Sequence, residues 1–462
     1  MNPPSRQANT QSDVSSPVLH AYAGVAFPLA AAFIALQVIV PTFYAEVTGL
    51  SLTTIGIVLL VARLWDTFTD PIVGTLSDLS KVGFGRRKIW IVASTPLILL
   101  AVWKLFVPPS DADWQYLLLW TFVIYVAGTM AIVPLNAWGA ELTPVYDERN
   151  RISGARAGYG LLGTLVALLL AASTAGTENS LANSLGMVAL LVSVTLVISV
   201  AISAWKVPDN STVELPGNTL RNALALIKTP GPVRQLLGSF LLNSIGNAIP
   251  ATLFLLFVSY VLRVPEMAGK LLFIYFLSAA LSVPVWTRIA RRFGKHQSWS
   301  VAMIITALSF TIVPFLSYET RQIYYALVLF TGFLTGADLV LPVSIKGDLI
   351  EWDAYTNGLK RPGLFFALWG TTTKLAFGLA IGIAFPLLEL AGFNVNDAAS
   401  ASAAGAGNSG GTMALALMYC VPAVILKLLA VFGMRNYPIT RDEHTRISTE
   451  LQHREGNNAQ TI

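Results

Sequence analysis

Charge is what this chain has least of. Only 12% of its 462 residues are Asp, Glu, Lys or Arg, about half the share of an ordinary soluble domain. Cysteine is scarcer still: Cys420 stands alone inside an apolar run, which rules out an intrachain disulfide. No Cys/His metal spacing and no nucleophile elbow occurs, which argues against the common hydrolases. The first 19 residues lack the basic start and short apolar core of a signal peptide and are expected to form a cytoplasmic tail. A formal charge of +5 does not point to nucleic acid, because the basic residues fall between apolar runs, where membrane topology places them.

What the chain has is apolar length. It is 54% hydrophobic, and runs of about 20 apolar residues match the hydrocarbon thickness of a bilayer. Segments near 20–46, 51–79, 88–107, 114–142, 152–175, 183–205, 233–262, 267–290, 297–317, 323–350, 363–390 and 412–435 predict an all-α membrane protein with twelve transmembrane helices. Helices follow because a backbone in lipid must satisfy its own hydrogen bonds. Basic residues gather after the even helices (Lys81, Arg86, Arg87 and Lys88; Arg291, Arg292 and Lys295; Lys346, Lys360 and Arg361), which predicts cytoplasmic termini. The polar, charged connection between the sixth and seventh helices divides the chain into two six-helix bundles. The expected organisation is a tail over 1–19, a bundle over 20–206, a linker over 207–232, a second bundle over 233–436 and a disordered tail over 437–462. Residues 394–411 are low in complexity and are expected to form a mobile external loop. Phe84-Gly85-Arg86 after helix two is echoed by Phe293-Gly294-Lys295 after helix eight, an internal repeat of the kind found in secondary transporters.

The chemistry is concentrated in helix two. Asp66 and Asp70 are four residues apart and therefore share one face. Each acid at mid-membrane costs roughly 2.5–3.5 kcal/mol on insertion scales, and two carboxylates in one place cannot both ionise cheaply. A bound Na+ or H+ removes the repulsion, and the Thr69 hydroxyl can add an oxygen of the kind a hard cation prefers. A structural ion pair with Arg63 is the competing explanation. Helix eight carries no acids in its matching stretch, so the pair belongs to the N-terminal half alone.

Asp78, with the Gly85-Arg86-Arg87-Lys88 cluster, resembles the charge latch between helices two and three of the major facilitator superfamily. Asp66, Asp70, Pro71 and Gly74 are similar in spacing to the signature of the glycoside–pentoside–hexuronide:cation symporters, the melibiose-permease-like branch of that superfamily. Two further stretches agree: Pro134, Trp138, Gly139 and Glu141, with a candidate solute-facing Asn136 where the family has an aromatic, and then Pro342, Asp348, Glu351, Gly358 and Arg361. The resemblance implies the major facilitator fold, with a cation site of Asp66, Thr69, Asp70 and Thr129 (Na+ at Asp66 and Asp70 if the coupling ion is sodium). It also implies solute-facing Arg156 and Lys374. No cofactor is implied beyond the coupling Na+ or H+. Expected partners are a small-molecule solute, the cation and membrane lipid, with the protein acting as a monomer in a bacterial inner membrane. Two departures bear on the solute. The acids that galactoside-transporting members carry on helices one and four are Ala30 and Ile132 here. A sugar site needs partners for many hydroxyls, so their loss weakens a galactoside reading.

Lys374 lies about 11 residues, or roughly 16 Å, into helix eleven. That is deep for a loop charge, although a lysine can snorkel to an interface. It is expected either to counter Asp66 and Asp70 or to hold an anionic solute. Asp338 is an extra acid in mid-helix ten, to be paired with Lys374 or used in solute or proton binding. Asn243 and Asn247 share a face of helix seven, suited to interhelical bonding or to lining a pocket, and Trp138 and Trp369 could stack on a sugar ring. A cation-coupled symporter of a sugar, glycoside or uronide is the leading expectation, and a lysolipid-like or other amphiphilic solute is the alternative. An intramembrane aspartyl protease would need acids on two helices in a Gly-x-Gly-Asp context, which is absent. A non-transporting sensor would need a long soluble domain.

Overall fold

The computed structural model describes residues 14–80, 83–143, 146–174, 177, 179–209, 231–358, 362–403 and 410–460. Among them twelve helices are long and apolar enough to span a membrane. These are α1 (Ser16–Val47), α2 (Leu52–Leu79), α3 (Lys88–Phe106), α4 (Trp114–Glu141), α5 (Tyr146–Ser173), α6 (Ser180–Lys206), α7 (Pro232–Val261), α8 (Pro265–Phe293), α9 (Lys295–Phe315), α10 (Arg321–Asn357), α11 (Pro362–Leu390) and α12 (Gly410–Met434). Their bounds follow the apolar runs to within a few residues, except that α5 begins at Tyr146, ahead of the expected 152, and α10 runs past 350 to Asn357. α10 has 37 residues, roughly 55 Å at 1.5 Å per residue, which exceeds the hydrocarbon core. Pro342 inside it does not end it, and the helix runs on to Gly358, whose left-handed φ of +69° closes the C-terminus. Proline leaves local marks. In α1 a π-turn at Ala35–Ile39 precedes Pro41, which lacks the amide needed to continue the ladder.

By packing, the described residues form two compact units. The first comprises those within Met1–Leu36, Phe68–Ala171 and Asn179–Leu215; the second, those within Gln37–Thr67, Ala172–Glu178 and Pro216–Ile462. The stretch Gln37–Thr67, which ends just past the middle of α2, therefore packs with the C-terminal helices. Residues 210–230 of the expected linker, together with Lys360 and Arg361, lie outside the described residues.

In the first unit α3 packs on α4 and α6, and the beginning of α1 lies along α6. In the second, α8 packs on α10, α7 on α11 and α12, and α9 on α10 and α12. Leu236, Trp286, Trp299, Leu341 and Phe365 lie at the centre of the core of the second unit.

The polar C-terminal segment, expected to be disordered, contains a helix, α13 (Arg441–Gln460). Asp442 and Glu443 occupy its first turn, where they complement the helix dipole. Arg446 pairs with Glu443 three residues before it and with Glu450 four residues after it. Ile447 is its buried anchor, and Tyr355 of α10 donates to Glu450 at 2.6 Å. Part of the expected loop at 394–411 is likewise a short helix, Val395–Ala403, with Asp397 in its first turn.

Candidate cation and solute sites

In the second unit α2 meets α11 through small residues. A Cβ on Gly378 or Gly382 would stand 3.0 Å or less from atoms of Arg63 or Leu60, and one on Gly56 would stand 3.0 Å from the Ile381 carbonyl. Glycine on both helices allows this close approach. Glu389 of α11 closes one end of the seam by accepting the Thr53 amide at 2.7 Å, which satisfies an otherwise orphan donor at the start of α2. Lys374, one turn before Gly378, therefore reaches α2. Its Nζ donates to Asp66 Oδ1 at 2.9 Å, while Arg63 Nη1 donates to Asp66 Oδ2 at 3.3 Å. Asp66 is 1% exposed. Two cations thus face one buried carboxylate, and each compensates the loss of hydration that burial imposes.

Asp70, one turn further along α2, belongs to the first unit. Its Oδ1 accepts the Thr129 hydroxyl of α4 at 2.9 Å. Thr69 and Thr129 are both buried. Of the four expected cation ligands, Asp70 and Thr129 are thus in contact with each other, and Asp66 holds the ammonium. Among the described residues no cluster of three or more His, Cys, Asp or Glu side chains offers a metal site. Carboxylate and hydroxyl oxygens are the available ligands, which suits a hard monovalent ion or a proton.

The latch residues meet in the first unit. Arg87 Nη2 pairs with Asp78 at 2.6 Å and with Glu141 at 2.7 Å, Arg86 pairs with Glu141 at 2.8 Å, and the Ser77 hydroxyl accepts from Arg87 Nη1 at 2.7 Å. The Arg87 amide donates to Asp209 at 3.1 Å. Gly85, at φ +118°, lies directly against the Asp209 carboxylate, where a side chain would collide.

Asp338 is not with Lys374. It accepts Asn243 Nδ2 at 3.0 Å and Trp299 Nε1 at 2.6 Å on Oδ1, and Asn247 Nδ2 at 2.9 Å on Oδ2. Its cation is Lys427 of α12, 3.8 Å from Oδ2, and the Lys427 Nζ donates to Asn243 Oδ1 at 2.8 Å. Four helices, α7, α9, α10 and α12, thus converge on one carboxylate. Trp138 is buried edge-on against Tyr22 and spends its indole N–H on the Pro208 carbonyl at 2.9 Å, so it offers no open ring face. Trp369 is tilted against Phe240, and its buried indole N–H has no partner among the described residues. Asn136 is exposed and Arg156 half-buried.

Sequence reasoning passed over Lys427, Trp299 and the pairing of Glu141 with Arg86 and Arg87. A signal existed for Lys427, a lone lysine in the middle of the apolar run at 412–435, which is as costly in lipid as Lys374. The Trp299 contact with Asp338 depends on which helices are neighbours, and no spacing reveals that.

The family model described as MFS/sugar transport protein matches residues 20–441. The sodium-dependent lysophosphatidylcholine symporter 1 of Mus musculus is 25% identical over 442 residues, covering 86% of this chain and 80% of the relative. The isoprimeverose transporter of Lactiplantibacillus pentosus is 24% identical over 381 residues, covering 78% and 77%. Among solved structures, the nucleoside transporter NupG superposes with a TM-score of 0.66 at 12% identity, over 91% of this chain and 99% of that one, a likeness of fold.

Proposed function

Because the chain belongs to the MFS/sugar transport protein family, we propose that it is a cation-coupled symporter in which a coupling ion competes with the Lys374 ammonium for Asp66. It is an integral multi-pass membrane protein and a secondary transporter rather than an enzyme, and such symport needs no cofactor. The observation that carries the coupling is the 2.9 Å contact between Lys374 and Asp66. A carboxylate already neutralised by a tethered cation is neutralised equally by a free one, so loading the ion releases Lys374 and with it the hold of α11 on α2. An ion with different affinities for the two arrangements is what a coupled switch requires. Sodium is the favoured ion, in line with the named sodium dependence of the mouse relative. Asp70, Thr69 and Thr129 are the further oxygens assigned to it, and Asp78, Arg86, Arg87 and Glu141 form the latch. The two-bundle division at 207–232 and cytoplasmic termini in a bacterial inner membrane belong to the same proposal.

For the solute, a lysolipid-like amphiphile is favoured over a glycoside. A sugar demands many hydrogen-bond partners, and the carboxylate best placed to supply them in the second unit, Asp338, is engaged within the protein. Asp338 accepts from three donors and faces Lys427. Ala30 and Ile132 stand where galactoside-recognising relatives have acids. A glycoside or uronide remains the second reading, supported by the sugar-transporting relative and by the unpartnered Trp369 N–H. Arg156 is the group assigned to an anionic head or a uronide carboxylate.

Uptake into proteoliposomes tests both parts. Lysophospholipid is expected to accumulate under an imposed Na+ gradient, and no accumulation under either a Na+ or an H+ gradient, for any lysolipid, glycoside or uronide, would overturn the proposal.

A further inference from the structure

A cavity of about 350 Å3 in the second unit is bounded by the end of α8, the start of α9, the outer part of α10 and α13. Its charged lining is Arg291, Lys295, His296, Arg441 and His444, with Asp348 the single acid. Asp348 is occupied by Lys295 at 2.6 Å and by His444 at 3.3 Å, and His444 also reaches Glu351 at 3.0 Å. Arg291 and Arg441 have no ion-pair partner among the described residues. Before either histidine is counted, the lining is positive. The first turn of α9 adds to this. Gly294 caps it without a side chain, and Ser298 is the first residue whose amide finds a partner there, the Gly294 carbonyl at 3.1 Å. Helix starts of this kind leave amide donors pointing outward.

We propose that this cavity is a binding site for a phosphate-bearing anion, held by Arg291 and Arg441 with α13 as one wall. Two guanidinium forks fit phosphate oxygens better than a point charge does. The position narrows the source. The cavity lies at the basic ends of α8 and α9, where spanning helices emerge into the headgroup layer, and basic pockets at that depth take lipid phosphates. A soluble phosphate ester presents the same chemistry. Binding would tie α13 to α8, α9 and α10, and this role is separate from the cation site at Asp66.

The test uses the full chain in phosphatidylcholine nanodiscs and follows thermal unfolding by tryptophan fluorescence. One arm titrates inorganic phosphate against chloride at matched ionic strength. The other replaces part of the phosphatidylcholine with phosphatidylglycerol. A rise of a few degrees in the midpoint is expected in at least one arm. Arg291→Gln and Arg441→Gln should each weaken apparent binding on the order of tenfold and together abolish the shift. A shift in the lipid arm alone identifies a membrane lipid, in the phosphate arm alone a soluble ester, and in both a site that accepts either. No shift in either arm, or a shift that survives the double substitution, overturns the proposal.

Discussion

Replacing Lys374 with methionine separates a structural ion pair from a cation-exchange site. Breaking a buried pair by removing one partner costs about 3–5 kcal/mol, because the other charge is left uncompensated. Here the low end applies. The Lys374 side chain is 22% exposed, and Arg63 stays 3.3 Å from the Asp66 carboxylate. Lys374→Met should therefore destabilise the protein by about 3 kcal/mol in the absence of coupling ion. The same quantity is what a sodium ion must overcome in the wild type when it displaces the ammonium. Without that competitor, sodium should bind up to about 100-fold more tightly, since each 1.4 kcal/mol is a factor of ten. Sodium-dependent thermal stabilisation of purified protein reads both numbers. The variant should start lower, gain more from sodium and reach half-effect at a lower concentration. Accumulation against a gradient should be lost, because an ion that cannot be displaced cannot be released. A sodium affinity that is unchanged or weaker in Lys374→Met would refute competition and leave the pair a fixed strut.

Asp338→Asn and Lys427→Met should each destabilise by about 3–5 kcal/mol, and the double variant by clearly less than their sum, as chemical unfolding would register. Gly382→Val would drive methyl groups into Leu60, where even a Cβ would stand 2.6 Å away; a loss of about 1–3 kcal/mol is expected, together with a weakened Lys374–Asp66 contact, seen as sodium affinity closer to that of Lys374→Met. His444 is held above its ordinary pKa of 6.5, chiefly by its bond to Glu351 and further by the charge of Asp348. A raised folded-state pKa gives stability that is complete below about 6.5 and fades as pH rises through the raised value. Protection of α13 amides, corrected for intrinsic exchange, should therefore fall from about pH 6 to pH 8, and His444→Gln should flatten that dependence; an equally steep fall in the variant would exclude the histidine as its source.

The spanning helices were legible because bilayer thickness sets their length, so apolar run length alone placed most of them closely and missed the early start of α5 and the overrun of α10. α13 was not legible from composition, since its mean polarity resembles that of a disordered tail. It forms through placement, with acids in the first turn, Arg446 between Glu443 and Glu450, and Ile447 as a lone anchor. The candidate site divides in the same way. Asp66, Asp70 and Lys374 stand out because an ion in oil is expensive wherever it sits. Their partners do not, because pairing depends on which helices are neighbours. Asp338 was equally visible as an acid, but Lys374 was its expected counter-ion, and Lys427, which lies as deep in its helix, was passed over. Only the approach of α2 and α11 through glycines, which gives Lys374 to Asp66, decides between them.

The second unit thus contains two lysine–carboxylate couples, and their geometry assigns them opposite roles. Lys374 touches Asp66 directly at 2.9 Å and keeps 22% of its side chain exposed. Lys427 is 1% exposed and stands 3.8 Å from Asp338, with Asn243 between them, and the carboxylate is held by three N–H donors. An exchangeable pair has to be reachable by ions and close enough that a small cation can take over the ammonium's place. A sealed pair, with its oxygens filled by amide and indole donors, gains nothing from a visiting ion and loses several bonds if it opens. On the proposed coupling, switching falls to Asp66 and Lys374, and the Asp338 cluster would hold α7, α9, α10 and α12 together if α2 and α11 part.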